Sequence, residues 1–147
     1  MKISIGADHR GFELKQHLIS YFAAYEWVDQ GADSTQRSDY PIFAQRVCID
    51  ILNARAELGV LICGSGIGIA MAANRYKKIY AALCWSRDVA VLAREDDGAN
   101  VLVLPADFIT PEQAVDIFQA WQQATFKEGV YQKRLEMIDQ TGVGNKE

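Results

Sequence analysis

Three cysteines and two histidines are the side chains of this sequence best suited to nucleophilic or acid–base chemistry. One cysteine stands apart by its downstream neighbours. In Leu61-Ile62-Cys63-Gly64-Ser65-Gly66-Ile67-Gly68-Ile69-Ala70, an apolar run ends in Cys63, three glycines alternate, and an alanine-rich segment comes next. This reads as buried strand, tight loop and helix. Such a loop leaves backbone N–H groups free at a helix N-terminus, where the helix dipole also favours negative charge. An anion, or an oxyanion formed during a reaction, fits there. So does a plain helix-packing turn with no ligand. The dinucleotide fingerprint is excluded, because Gly68 stands two positions after Gly66 and not three. The nucleotide-hydrolase loop is excluded too, because no Gly-Lys-Ser/Thr is present.

Cys63 precedes the helix start, a place that favours thiolate, so it could act as nucleophile or as general base. Cys48 reads as a buried filler. Cys84 ends another strand without a glycine loop after it and reads as structural. Asp8-His9 comes directly after the first strand, on the same rim. Asp8 serves equally as a helix cap or as a ligand group, whereas His9 could donate to a hydroxyl or a phosphate. His17 reads as an exposed mid-helix residue. No Cys-x-x-Cys or His-Glu-x-x-His spacing points to a metal. The one acidic cluster, Glu95-Asp96-Asp97, reads as a solvated helix end, though a helix C-terminus disfavours negative charge.

The elements that must position these residues alternate. Strands are expected at Lys2–Gly6, Glu26–Gln30, Leu58–Cys63, Ile79–Cys84 and Val101–Leu104. Helices are expected at Phe12–Tyr25, from Pro41 to Asn53, at Ile67–Arg75, from a Ser86 cap to Glu95, from a Thr110 capping box to Thr125, and at Tyr131–Gln140. Phe43, Val47, Ile51 and Leu52 should face inward on one helix, and Ala114, Ile117, Phe118 and Trp121 on another. The pattern implies a parallel five-stranded sheet between two helical layers. Ligands then sit at the carboxyl ends of the strands.

The length suits one domain over 1–147, with a frayed tail from about 141. Half the residues are hydrophobic, enough for a sizeable core, and the net charge of −4 offers no case for nucleic-acid binding. No apolar run approaches the ~20 residues of a membrane span. The chain opens as a strand without a signal peptide. An odd number of cysteines in apolar surroundings fits the reducing cytoplasm.

Four segments together resemble the ribose-5-phosphate isomerase B family, whose wider membership includes galactose-6-phosphate isomerase subunits. They are Gly6-Ala7-Asp8-His9-Arg10-Gly11-Phe12, Asp39-Tyr40-Pro41, Cys63 to Gly68 with Ala72-Ala73-Asn74, and Ala99-Asn100-Val101-Leu102. The resemblance runs to about Ile138. It implies a Rossmann-like fold and a cofactor-free aldose–ketose isomerase of pentose phosphate metabolism. It also implies a homodimer or homotetramer with sites between subunits. Cys63 corresponds to the base that moves a proton between C1 and C2 through an enediolate. Members with a glutamate base carry it at the position of Ile69, so this chain resembles the cysteine type. Gly64, Ser65, Gly66, Ile67 and Gly68 would hold the enediolate oxygens, with Ser65 adding its hydroxyl. Asp8 and Tyr40 would bind sugar hydroxyls, with His9 near the phosphate and Asn100 among the substrate-binding positions.

The chain departs from that pattern at the other end of the sugar. The ring-opening histidine of the family corresponds to Asp96, and the asparagine after it to Asp97. Of the phosphate-clamping arginines, Arg134 is matched, whereas the others fall on Val130 and Asp107. Three readings remain open: a ribose-5-phosphate isomerase, an isomerase of a sugar lacking the phosphate or carrying it elsewhere, and a non-catalytic sugar-binding or partner-binding relative. Cys63 with its intact loop argues against the third, because a binding module needs no base there.

Overall fold

The computed structural model describes residues 1–142, so the expected tail lies outside the described residues from position 143 onward. In chain order the elements are β1 (Lys2–Ala7), α1 (Phe12–Tyr21), β2 (Glu26–Asp29), α2 (Tyr40–Leu52), β3 (Leu58–Cys63), α3 (Ile67–Ala73), β4 (Ala81–Leu83), α4 (Arg87–Glu95), β5 (Val101–Pro105), α5 (Pro111–Gln123) and α6 (Val130–Gln140). The five strands form one parallel sheet in the order β2-β1-β3-β5-β4. This is a Rossmann-like α/β fold, and the chain reverses its winding direction between β1 and β3.

Residue alternation along β1, β3 and β5 assigns the two faces. Ile3, Ile5, Val60, Ile62, Leu102 and Leu104 pack with Leu14 and Leu18 of α1 and with Ile117, Phe118 and Trp121 of α5. Leu61, Cys63, Val101 and Val103 pack with Val47 and Cys48 of α2 and with Ile69 and Ala73 of α3. The Ser86 cap and the Thr110–Gln113 capping box both form.

Four expectations need correction. Helix α1 stops at Tyr21, because the Trp27 indole N–H donates to the Phe22 carbonyl at 3.0 Å and takes an acceptor the next turn needs. Strand β4 keeps only Ala81–Leu83, with side-chain amides bonded to its first residue and to the residue before it. The Asn74 amide pairs with both backbone groups of Ala81, and Asn100 takes the Tyr80 N–H. Leu52 is 46% exposed, one residue off the buried stripe of α2. His17 is half-buried beside Tyr21, not free in solvent.

Candidate active site

Parallel strands end together, so β1 and β3 deliver their loops to one rim. The Asp8 N–H donates to the Ile62 carbonyl at 3.2 Å, which sets the loop after β1 directly beside Cys63. The Asp8 carboxylate Oδ1 accepts from the N–H groups of Arg10 (3.0 Å) and Gly11 (3.2 Å), as a capping residue does. Oδ2 takes no part in either bond. His9 is tied to the loop after β2: its N–H donates to Ser38 Oγ at 3.0 Å, and its Nδ1 lies 3.2 Å from both backbone polar atoms of Ser38. Nδ1 is thereby occupied, which leaves Nε2 as the ring atom available to a ligand.

Cys63 ends β3 and is 4% exposed. Its Sγ accepts a hydrogen bond from the Gly66 N–H at 3.2 Å. Gly66 reaches that position with φ +74°, and a Cβ there would collide with Leu83. The other two thiols are placed differently. Cys48 Sγ donates toward the Ala73 carbonyl and Cys84 Sγ toward the Ala82 carbonyl, and burial pushes both thiols up to about 12. Of the three, Cys63 is the one whose sulfur accepts from a backbone N–H.

The loop is less uniform than its sequence implied. The Gly66 N–H is turned to the sulfur and the Ile67 N–H to Ser65 Oγ at 3.2 Å. Both N–H groups are thus engaged within the loop. The N–H groups of Gly68 and Ile69 lie in the first turn of α3, where a helix leaves donors without intrahelical partners. Tyr40, the first residue of α2, lies over Gly68: a Cβ on that glycine would stand 2.6 Å from the ring. Ile69 is fully buried in the core and can present nothing to a ligand.

Asp96, Asp97, Asn100 and Arg134 do not join this rim within one chain. The Gly59 N–H donates to the Asn100 carbonyl, so Asn100 stands at the start of β5, while Cys63 pairs with its end at Pro105. Five residue steps of strand separate the two levels, about 16 Å at ~3.3 Å per residue. Asn100 is also committed: its Oδ1 accepts from the Tyr80 N–H at 2.8 Å and its Nδ2 donates to the Lys78 carbonyl at 2.9 Å. Asn100 thus clamps the backbone on the approach to β4. Asp96 holds Lys127 Nζ at 2.7 Å, and Glu95 lies 3.5 Å from the same ammonium. Lys127 thus answers the excess of negative charge at the α4 C-terminus, and the hydrogen bond it donates to Asp96 raises its pKa. Tyr131 stacks beneath both Lys127 and Arg134.

One pairing at the rim escaped sequence reasoning. Arg10, one position after His9, makes an ion pair with Asp107 in the loop after β5. No short motif announces a pair 97 residues apart in the chain. Among the described residues no group of three or more His, Cys, Asp or Glu is arranged to hold a metal, and no helix is long and apolar enough to cross a membrane.

Known proteins resemble this chain in sequence and in fold. A model of the family described as Ribose/Galactose Isomerase matches residues 3–138. Ribose-5-phosphate isomerase B of Escherichia coli (strain K12) is 36% identical over 139 residues, 93% of each chain. A probable ribose-5-phosphate isomerase B of Mycoplasma genitalium is 38% identical over 92% of each. The crystal structure of a ribose 5-phosphate isomerase from Thermotoga maritima superposes with TM-score 0.92 at 41% identity, covering 94% of this chain and 97% of that one. The Mycoplasma genitalium enzyme with bound ribulose-5-phosphate superposes with TM-score 0.89 at 37% identity, over 94% and 93% of the two chains. With matches of this extent in both sequence and fold, the chain belongs to the ribose/galactose isomerase family.

Proposed function

We propose that this chain is a cofactor-free aldose–ketose isomerase that interconverts ribose 5-phosphate and ribulose 5-phosphate in the cytoplasm. The observation that carries the reading is Cys63: of three buried thiols, it is the one that accepts an N–H and borders the glycine loop. As thiolate, Cys63 takes the C2 proton of the open-chain aldose. The electron pair moves into a C1–C2 double bond, and the C1 carbonyl oxygen becomes part of an enediolate. Backbone N–H groups at the α3 N-terminus and the Ser65 hydroxyl hold the developing negative oxygens, which is oxyanion stabilisation. The thiol returns its proton to C1, a proton passes between the two oxygens, and the ketose forms. No oxidant or reductant enters. Asp8 Oδ2 and the Tyr40 hydroxyl take sugar hydroxyls, and His9 Nε2 faces the phosphate end.

The second half of the site comes from a partner subunit in this reading. Asp96, Asp97 and Arg134 stand at the opposite end of the sheet from Cys63 and meet a sugar only across a homodimer, or a homotetramer built from it. Ile67 and Met71 support this. They lie one turn apart on α3 beside the glycine loop, 57% and 67% exposed, an apolar stripe suited to a second copy. Asp96 occupies the ring-opening position with its carboxylate already paired to Lys127.

A panel of aldoses, phosphorylated and free, assayed for ketose formation with a metal chelator present, tests the proposal. Turnover of ribose 5-phosphate that resists the chelator supports it. Turnover of free sugars alone favours the isomerase of an unphosphorylated sugar, the reading that Val130 and Asp107 suggest. Absence of turnover on every sugar refutes isomerisation.

A further inference from the structure

The isomerase reading leaves the anionic end of the sugar short of cations. The family resemblance puts an arginine at position 107, and this chain has aspartate. The structure sets a guanidinium in the same space from a different strand. Arg10 leaves the loop after β1 and pairs with the Asp107 carboxylate in the loop after β5. The two groups meet directly above Gly64, the first residue after Cys63. A Cβ built on Gly64 would lie 2.7 Å from Arg10 Nε and 2.6 Å from Asp107 Oδ2. Gly64 is therefore bare where this pair crosses it.

Both ends of the pair are anchored. The Arg10 N–H is held by Asp8 Oδ1 at 3.0 Å. The Asp107 N–H donates to the Gly64 carbonyl at 2.9 Å, and its neighbour Ala106 donates to the Cys63 carbonyl at 2.9 Å. The Arg10 side chain is 59% exposed, and a guanidinium carries five donors of which one carboxylate satisfies two at most. On its other side the Arg10–Asp107 pair borders a cleft of about 400 Å³ that Glu13, His17, Ile109 and Pro111 also line.

We propose that Arg10, steered by Asp107, is the same-chain cation for the anionic end of the substrate, so that arginine and its loop have exchanged places relative to the family pattern. Arg10 is then a specificity-determining residue that binds substrate without touching the migrating proton. The proposal rests on the isomerase reading. Beside Arg10, a second guanidinium would put two like charges over one glycine.

The test compares the full-length parent with Arg10→Ala and with the exchange variant Arg10→Ala/Asp107→Arg. Steady-state kinetics with ribose 5-phosphate are run alongside calorimetric titration with ribose 5-phosphate and with inorganic phosphate. In Arg10→Ala, KM should rise at least about tenfold, with kcat within about threefold, and phosphate affinity should fall in parallel. The exchange variant should bring both back to within about threefold of the parent. Parent-like KM and phosphate affinity in Arg10→Ala overturn the proposal, as does an exchange variant no better than Arg10→Ala. A normal circular-dichroism melt in each variant excludes misfolding as the cause of a loss, and Arg10→Lys replaces Arg10→Ala if it melts early. If the parent binds both ligands through Arg10 yet isomerises nothing, the isomerase reading falls while this one stands.

Discussion

The carboxyl rim and the opposite edge of the sheet are both rich in polar side chains, yet they are built in different ways. At the rim, backbone does the positioning. Asp8, the Cys63 loop and the loop after β5 are held by main-chain bonds to one another, and the one reactive sulfur faces an N–H. At the opposite edge, side chains hold side chains or cap backbone: Asp96 with Lys127, Asn100 with Tyr80 and Lys78, and Asp139 with Tyr80 and Lys78. Main-chain positioning presents open donors to a ligand. Side-chain pairing consumes them. The contrast favours the rim as the place for the proposed chemistry.

The largest effect should come from the rim's centre. Cys63→Ala should cost about 10²–10⁴-fold in kcat, the usual range for loss of a general base, with an unchanged melting curve. Single-turnover proton exchange at C2 measures this directly, and near-parent exchange would return the search for a base to Asp8. The comparison sharpens when each region is broken in a different chain. Cys63→Ala and Arg134→Ala should each be crippled alone. Mixed and reassembled, they should recover about a quarter of the parent activity, because half the dimers are then mixed and one of two sites in each is intact. Failure to recover any activity, with mixed dimers verified by mass spectrometry, would place both residues in the same chain's site. A smaller effect is expected from Gly68→Ala. The new methyl must displace the Tyr40 ring, which should cost about tenfold in kcat/KM, within the range for a 1 Å misplacement.

The legibility of the sequence divides along the same line. The rim reads out well because its signals are local: a run of apolar residues, alternating glycines, a capping residue, a proline at a helix start. Backbone geometry of that kind is encoded within a few residues. The parallel sheet and its helices are legible for the same reason, down to the Thr110 capping box. The features that escaped depend on distant partners. Nothing in the sequence places β5 between β3 and β4, and without that order Asn100 cannot be seen to clamp the approach to β4. Glu95-Asp96-Asp97 looks anomalous at a helix end until Lys127 is brought to it across the loop before α6. Arg10 seemed an ordinary residue of the first loop because its partner is 97 residues away.

The smallest expected effect concerns the far edge alone and separates its structural work from catalysis. Asp139 is 7% exposed on α6. Its carboxylate accepts from the Tyr80 hydroxyl at 2.7 Å, from the Lys78 N–H at 3.2 Å, and pairs with Lys78 Nζ at 3.0 Å. Burial by itself would raise its pKa. The Tyr80 and Lys78 bonds outweigh burial, so the folded-state value is depressed. A depressed carboxyl contributes stability above its unfolded pKa, about 3.9, and that contribution is lost as pH falls through the lower folded value. Asp139→Asn should therefore destabilise the protein at neutral pH by about 1–3 kcal/mol, the cost of weakening hydrogen bonds to a buried charged group. The gap from the parent should narrow below about pH 4, where the parent also becomes protonated. Urea unfolding at pH 7 and at pH 3 reads both. Tyr80→Phe should reproduce part of the loss, because burial and then the Asp139 bond hold the phenol above its ordinary value. A gap that stays constant from pH 7 to pH 3 would mean that packing of α6, and not the charge on Asp139, holds this edge together.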